Sequence, residues 1–389
     1  MAQGQINSYS FGTTTTLKRT VANTIRNIDP QDVPCVSYFG LNNQGKFNLQ
    51  NFPNHKYEWL MDTLRPRTTT MNHGGTLASG DLAVTVTDST LFKAGDIIQI
   101  DSEKIYVSAV NTSSHSLTIA RGWGSTSAAS HTDTTTVTYL FSAREEGAES
   151  NRTYYTTPTV DYNYSQILHA ELLISGSESD ATSRYGINDQ YKYQLMKLLG
   201  GAGSGNGKQG RAGELMIDLE KTFFYGERVE RAAGTAGAMA GPKIYITTNT
   251  QALASDYLTQ DVLEDEIQSC WSVGGRPSLI ICNAFNKRLI SSWYAPSVRT
   301  ERSERTGGVR IEQLETEFGD LDLMLNRWCP ADEVYILQPD LMGWVTLRDW
   351  FVEPLAKGGD YKKDQIVGEF GFVLTNEKAN AIITGTATS

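Results

Sequence analysis

Apolar residues recur at helical spacing in two runs within residues 186–226. In the first, Ile187, Tyr191, Leu195 and Leu198 fall on one helical face. Asn188 is the expected N-cap, because its side-chain oxygen can accept from the free amides of a first turn. In the second, Ala212, Leu215, Met216, Leu219 and Phe223 share a face, with Glu214, Asp218 and Lys221 opposite. Gly226 is the expected stop. The stretch 200–213 between the runs is so dense in glycine that a continuous helix would be costly. An interrupted helical spine is therefore expected.

Residues 76–140 switch to period-two alternation. Segments 82–86, 97–100, 105–110, 116–119 and 135–138 read as strands, with turns at 94–96 and 111–114. An all-β insertion is expected here, between strand-like segments at 57–60 and 160–174. After the spine, 243–247 reads as a strand, 261–273 as a helix ending at Gly274 and Gly275, 278–282 as a buried strand and 286–293 as a helix. Segments 309–314 and 321–325 read as a hairpin. Segments 334–337, 342–347, 366–374 and 379–383 make the C-terminal part strand-rich. Residues 1–50 lack a long hydrophobic pattern. A short helix is expected at 17–28, and the residues before Pro30 and Pro34 are forced out of helical geometry. This segment reads as an arm that needs another surface to lie on. The whole is an α+β chain.

Length and composition narrow the class. At 389 residues the chain has room for about two or three domains. Hydrophobic residues at 39% and charged residues at 20% are globular values. A net charge of −10 repels nucleic acid, so a conventional DNA-binding role is not expected. No segment approaches the ~18 apolar residues that span a bilayer, and the polar N-terminus does not resemble a signal peptide. The expected place of synthesis is the cytosol. Cys35, Cys270, Cys282 and Cys329 are scattered and are expected to be buried free thiols.

The sequence offers little chemistry. The histidines at 55, 73, 115, 131 and 169 never fall within one helical turn, which excludes the helical two-histidine zinc motif. No G-x-S-x-G elbow occurs, and Glu145 and Glu146 read as a solvated edge. Gly205–Gly210 matches G-x-G-x-x-G, but a helical run precedes it where a strand is required. Ala202 and Gln209 break the P-loop pattern. No catalytic residue, cofactor or metal is expected. Arg299, Glu301, Arg302, Glu304 and Arg305 form a dense run of mixed sign. It reads either as a solvated loop or as an intersubunit salt-bridge strip, where alternating charges set register.

Several segments in order resemble tailed-bacteriophage major capsid proteins of the Hong Kong 97-like family. They are 26–34 with 37–40, Lys56-Tyr57-Glu58-Trp59, 143–148, 162–167, Glu317-Phe318-Gly319, Asn326-Arg327, 355–360 and 365–369. Arg121-Gly122-Trp123 and His131 resemble small β modules of phage structural proteins. The resemblance implies an N-terminal arm (1–50), an extended loop (51–75 and 141–159) and a β insertion domain in that loop (76–140). It further implies a peripheral domain with a spine helix (160–240 and 348–389) and an axial domain (241–347). It implies self-assembly into hexamers and pentamers of an icosahedral head around double-stranded DNA, in the virion after assembly in the host cytoplasm. Scaffold, portal and decoration proteins are the implied partners; DNA meets the shell only by proximity, and no membrane is involved. Lys357 and Asp360 join the Arg299–Arg305 run as intersubunit-contact candidates. The alternatives are a tail or portal-associated component and a cytosolic nucleotide-binding enzyme built on the glycine tract.

Overall fold

The computed structural model describes residues 32–39, 54–144, 146–147, 156–180, 189–200, 213–294 and 313–388. The chain forms two compact units, one of residues 1–59 and 160–389, the other of residues 60–159. The expected helix at 17–28 lies outside the described residues.

The first unit opens with α1 (Pro34–Phe39), which buries Cys35, Val36 and Phe39. The proline restriction falls on Val33. Pro34 itself suits a helix start, where its missing N–H is not needed. The next element, β1 (Lys56–Met61), buries Tyr57 and Trp59 between exposed Lys56, Glu58 and Leu60.

The second unit contains β2 (Thr68–Thr70), β3 (Ala83–Thr85), β4 (Asp96–Ile100), β5 (Glu103–Asn111), β6 (Ser116–Ala120) and β7 (Thr136–Ser142). They lie in the order β2-β7-β4-β5-β6-β3, every pair antiparallel. The two end strands also meet. Thr87 donates its N–H to Thr70 and Asn72 donates to Thr85, each at 2.9 Å, while Met71 bridges Val86. The sheet thus closes into a six-stranded barrel, which removes the open edges that invite other chains. Ile98, Ile100, Ile105, Val107, Leu117 and Val137 fill the interior. This unit takes in more than residues 76–140. Thr68–Thr70 lies before that span and carries no apolar residue to mark it, and β7 runs past it.

Back in the first unit, β8 (Thr159–Tyr164) pairs with β1. There follow β9 (Gln166–Ser175), α2 (Gly176–Asp180), α3 (Gln190–Leu199), α4 (Glu214–Tyr225), α5 (Pro242–Tyr245), β10 (Thr250–Ala252) and α6 (Gln260–Ser272). The chain ends with β11 (Leu279–Cys282), α7 (Ala284–Tyr294), β12 (Gln313–Thr316), β13 (Gly319–Leu325), β14 (Val334–Leu337), β15 (Met342–Pro354), β16 (Tyr361–Leu374) and β17 (Ala381–Thr384). One sheet is antiparallel, β15-β16-β9; the other is mixed, β10-β17-β14-β11-β13-β12. α6 and α7 bury Leu263, Ile267, Cys270 and Ile290 against Ile280, Leu321, Leu323 and Ile336 of the mixed sheet.

Two local expectations need correction. Segment 243–247 is not a strand: Pro242–Tyr245 forms a helical turn, and Ile246 donates its N–H back to Pro242 at 3.0 Å. Four residues of alternation cannot outweigh a proline at a helix start. The N-cap of α3 is Asp189, whose side chain accepts from Lys192 N–H at 3.0 Å, rather than Asn188. Both are good cap types, so spacing alone does not choose between neighbours.

The spine is interrupted, and its two pieces meet. A Cβ on Gly213 would lie 2.2 Å from the Leu198 carbonyl oxygen, so only glycine fits. Lys197 pairs with Glu214 at 3.2 Å. The helical run therefore leaves at Gly200 and resumes at Gly213 in the same place; residues 201–212 lie outside the described ones. On α4, Leu215, Leu219 and Phe223 are buried, while Glu214, Asp218 and Lys221 are exposed. Gly226 ends the helix with φ −68°, which is not left-handed. It is required by close approach, since a Cβ there would lie 2.4 Å from the Thr222 and Met239 carbonyl oxygens.

Candidate self-association surfaces

A chain that binds copies of itself needs anchored peripheral segments and rigid exposed edges. The arm is anchored on α4. Phe39 stacks on Phe223 at 5.6 Å, and Phe223 also meets Phe224 and Phe372. Burying one such side chain is worth about 1.5–3 kcal/mol. The polar anchor is Glu220, which is fully buried. Its carboxylate accepts the N–H groups of Cys35 and Val36 at 2.8 Å, and the Asn326 amide also donates to it. Burial raises its pKa despite these donors. Just upstream, the Trp328 indole N–H donates to the Asp32 carbonyl at 2.8 Å, and Arg327 donates to the Asp32 carboxylate at 3.1 Å.

The antiparallel sheet is fixed by a second buried carboxylate, Glu369 on β16. Ser165 donates to it at 2.7 Å, Arg348 Nε donates at 3.0 Å, and Arg231 completes the set. Burial pushes its pKa up, but Ser165 and the arginines outweigh that and hold it below the usual range. Tyr57 replaces a strand neighbour here: its hydroxyl donates to the Phe372 carbonyl at 3.0 Å and accepts the Phe372 N–H at 2.8 Å. On this scaffold β15 and β16 form a long hairpin whose tip carries Lys357 and Asp360. Both are exposed and neither makes an ion pair among the described residues. The tip is held from beneath, since Gly176 donates its N–H to the Asp360 carbonyl at 3.1 Å. Arg299, Glu301, Arg302, Glu304 and Arg305, which join α7 to the edge strand β12, lie outside the described residues.

In the barrel, a third buried carboxylate explains the Arg121-Gly122-Trp123 and His131 signature. Glu103 accepts from Arg121 Nε at 2.9 Å and Nη2 at 2.7 Å, and from the N–H groups of Gly122 and Ala129 at 3.0 Å. His131 lies between Glu103, at 3.0 Å, and Asp101, at 2.7 Å. Burial raises the Glu103 pKa, but Arg121 and the other donors outweigh it and bring it down to about 2. The motif is a latch tying β5 to the segment that follows β6.

The residue types weighed for chemistry are dispersed. His55 stacks on Tyr164, His115 contacts Ser89, and His169 is exposed on β9. Among the described residues no group of His, Cys, Asp and Glu could hold a metal ion. All four cysteines are buried and free. Burial raises their pKa values, to about 12 for Cys270 and Cys282, which leaves them protonated and unreactive. The G-x-G-x-x-G match at 205–210 lies outside the described residues. Among the described residues no helix is long and apolar enough to cross a membrane. The sequence reading did not single out Glu103, Glu220 or Glu369; the barrel motif pointed toward the first, and the family-like segment 365–369 contains the third.

A family model described as SU10 major capsid protein matches residues 5–387. Among solved structures, the cyanophage A-1(L) capsid asymmetric unit is similar at 9% identity and TM-score 0.56, covering 98% of this chain and 99% of that one. The capsid of an empty GTA particle is similar at 10% identity and TM-score 0.52, covering 98% and 100%. A chain of Mycobacterium phage Bobi is similar at 9% identity and TM-score 0.50, covering 97% of each. No curated protein matches the sequence. These likenesses give the chain the phage capsid fold over nearly its whole length.

Proposed function

The chain belongs to the SU10 major capsid protein family, and we propose that copies of it close into the hexamers and pentamers of an icosahedral phage head around double-stranded DNA. It is a capsid-forming structural protein and a component of the virion. The family match over residues 5–387 is the observation that carries the reading.

The proposed division of labour follows the Hong Kong 97-like scheme. Residues 1–50 serve as the arm and 51–75 and 141–159 as the extended loop, which lends β2 and the end of β7 to the barrel of the insertion (76–140). Residues 160–240 and 348–389 serve as the peripheral domain, except that β17 crosses into the mixed sheet of the axial domain, 241–347. The anchoring of α1 by Glu220 supports an arm that starts from a fixed point. Lys357 and Asp360, on a hairpin tip, support a contact with a neighbour. Assembly in the host cytoplasm, with scaffold, portal and decoration proteins as further partners, belongs to the same proposal. The net charge of −10 favours a wall that does not trap the genome. Negative-stain microscopy of the expressed chain tests the reading. Closed shells with fivefold and sixfold capsomers are expected. Rings or tubes alone would overturn the head and favour a tail or portal component.

A further inference from the structure

We propose that the cavity between β9 and the hairpin of residues 229–238 is a binding pocket for a small aromatic carboxylate. The inference does not depend on capsid assembly and goes beyond it.

The hairpin follows α4. Val229 bridges Ala238 and Ala232 bridges Thr235, so the chain turns back at Ala233 and Gly234. Between the hairpin and β9 lies an open cavity of about 580 Å³. On the β9 side it is lined by Ile167 and His169, which stand two residues apart and so share one face of the strand. On the hairpin side it is lined by Ala232, Ala236 and Gly237, none of which carries more than a methyl group. A Cβ on Gly237 would stand 3.0 Å from the Arg231 Cβ, so a side chain there would press on the arginine.

Arg231, also in the lining, supplies the charge. Its Nη2 donates to the Ser165 hydroxyl at 3.0 Å, to the Ser165 carbonyl at 3.1 Å and to Glu369. Its Nε and Nη1 meet no acceptor among the described residues. Glu369 is already shared with Arg348, which stands opposite it on β15. Two guanidinium groups therefore hold one carboxylate, and one positive charge is left over. Among the described residues no acid lines the cavity. Glu230 engages the Tyr164 hydroxyl, and Glu171 pairs with Lys363 at 3.1 Å. The His169 ring and the Thr235 hydroxyl are exposed and have no partner among the described residues.

The lining selects the ligand. A guanidinium with two free donors recognises a carboxylate and stacks on aromatic faces. The flat surface of Ala232, Ala236 and Gly237, with the planar His169 ring on the other side, fits a ring better than a branched chain. The volume falls within the range of small-molecule pockets, about 300–1,000 Å³. One acidic side chain of a partner protein would leave most of it empty. The occupant is therefore a free aromatic acid.

The test is the binding of 2-naphthoate to the full chain, read by titration calorimetry and by melting temperature. One saturable site per chain is expected, with half-saturation at or below about 1 mM. The melting temperature should rise with ligand, because only the folded chain holds the pocket. Neutral 2-naphthamide has nearly the same shape and should bind at least about tenfold more weakly. Ala236→Phe fills the cavity from an exposed position. It should weaken naphthoate binding at least about tenfold and leave the melting temperature of the ligand-free chain unchanged. Arg231→Gln should also weaken binding, but it removes a partner of Glu369 and should lower that melting temperature as well, so Ala236→Phe is the deciding variant. Undiminished binding to Ala236→Phe, equal binding of the amide, or the absence of saturable naphthoate binding would each overturn the pocket. Acetate acting as strongly as naphthoate at equal concentration would reduce it to a simple anion site and overturn the aromatic ligand. None of these outcomes touches the capsid reading.

Discussion

Glu220 on α4 accepts the backbone N–H of Cys35 on α1 at 2.8 Å, across 185 residues of sequence. The same carboxylate takes the Val36 N–H, so one side chain caps a helix that the chain built long before it. Glu220→Ala would leave two buried amides without an acceptor, at about 1–3 kcal/mol for each buried unsatisfied group. The expected outcome is release of residues 32–39 from α4 while the barrel stays folded. Hydrogen exchange should show the Cys35 and Val36 amides losing protection. Full protection in the variant would mean that Phe39 packing alone holds the arm.

Glu103 makes the barrel acid-sensitive. Its folded pKa is about 2, below the ordinary value of 4.5. A lowered carboxylate contributes stability that is present above the ordinary value and is lost as pH falls through the folded one. The barrel should therefore weaken between about pH 4.5 and 2 as Glu103 takes up a proton and its pairing with Arg121 is lost. Glu103→Gln should be less stable at pH 7 and should show a shallower loss across that window. Parallel pH curves for the two chains would remove Glu103 as the cause. Glu220 runs the other way: its raised pKa means that its contribution falls as pH rises through that value.

The apolar skeleton of the first unit was legible in the sequence because it is periodic over long spans. Leu215, Leu219 and Phe223 stand at helical spacing, and all three are buried. The short strands were less so, since β2 is three threonines and its place in the barrel depends on Val86 and Thr87 across the closure. The buried carboxylates were the hardest to see. Glu103 finds Arg121 at a separation of 18 residues, and Glu369 finds Ser165 at 204. Each reads locally as a solvated acid, because its donors come from distant chain.

The candidate contact charges should separate assembly from folding. Lys357 and Asp360 are exposed on the β15–β16 tip and make no ion pair among the described residues. Lys357→Glu with Asp360→Lys should leave the melting temperature of the unassembled chain unchanged and reduce particle yield. Arg302→Glu with Arg305→Glu should do the same. Exposed ion pairs contribute only about 0.2–1 kcal/mol each, but a shell repeats each one in every copy. Sedimentation against melting measures the split. Equal loss of assembly and of thermal stability would assign these residues to the subunit itself.

The barrel should fold on its own only if it is cut at its true ends. Residues 60–159 form a compact unit with its own core, and β2 closes against the segment after β3. Thr69 and Thr70 pair with Val137 and Thr136 of β7, and Met71 is 1% exposed inside the barrel. A fragment of 76–140 removes β2 and Met71 and cuts β7 short. It would leave β7 and β3 as open edges and Val137 without its roof. Losing a buried methionine costs about 2–5 kcal/mol even as a truncation to alanine, and a domain of about 65 residues has little stability to lose. The fragment 60–159 is therefore expected to show a β-type circular dichroism spectrum and one cooperative melt. The fragment 76–140 is expected to show neither. The complementary chain, with 62–157 replaced by a short Gly-Ser linker, should keep the mixed sheet folded, because that sheet's core draws on no residue of the barrel. A cooperative melt from 76–140 would show that closure by β2 is dispensable. Failure of both fragments, together with failure of the shortened chain, would show that the two units fold only as one.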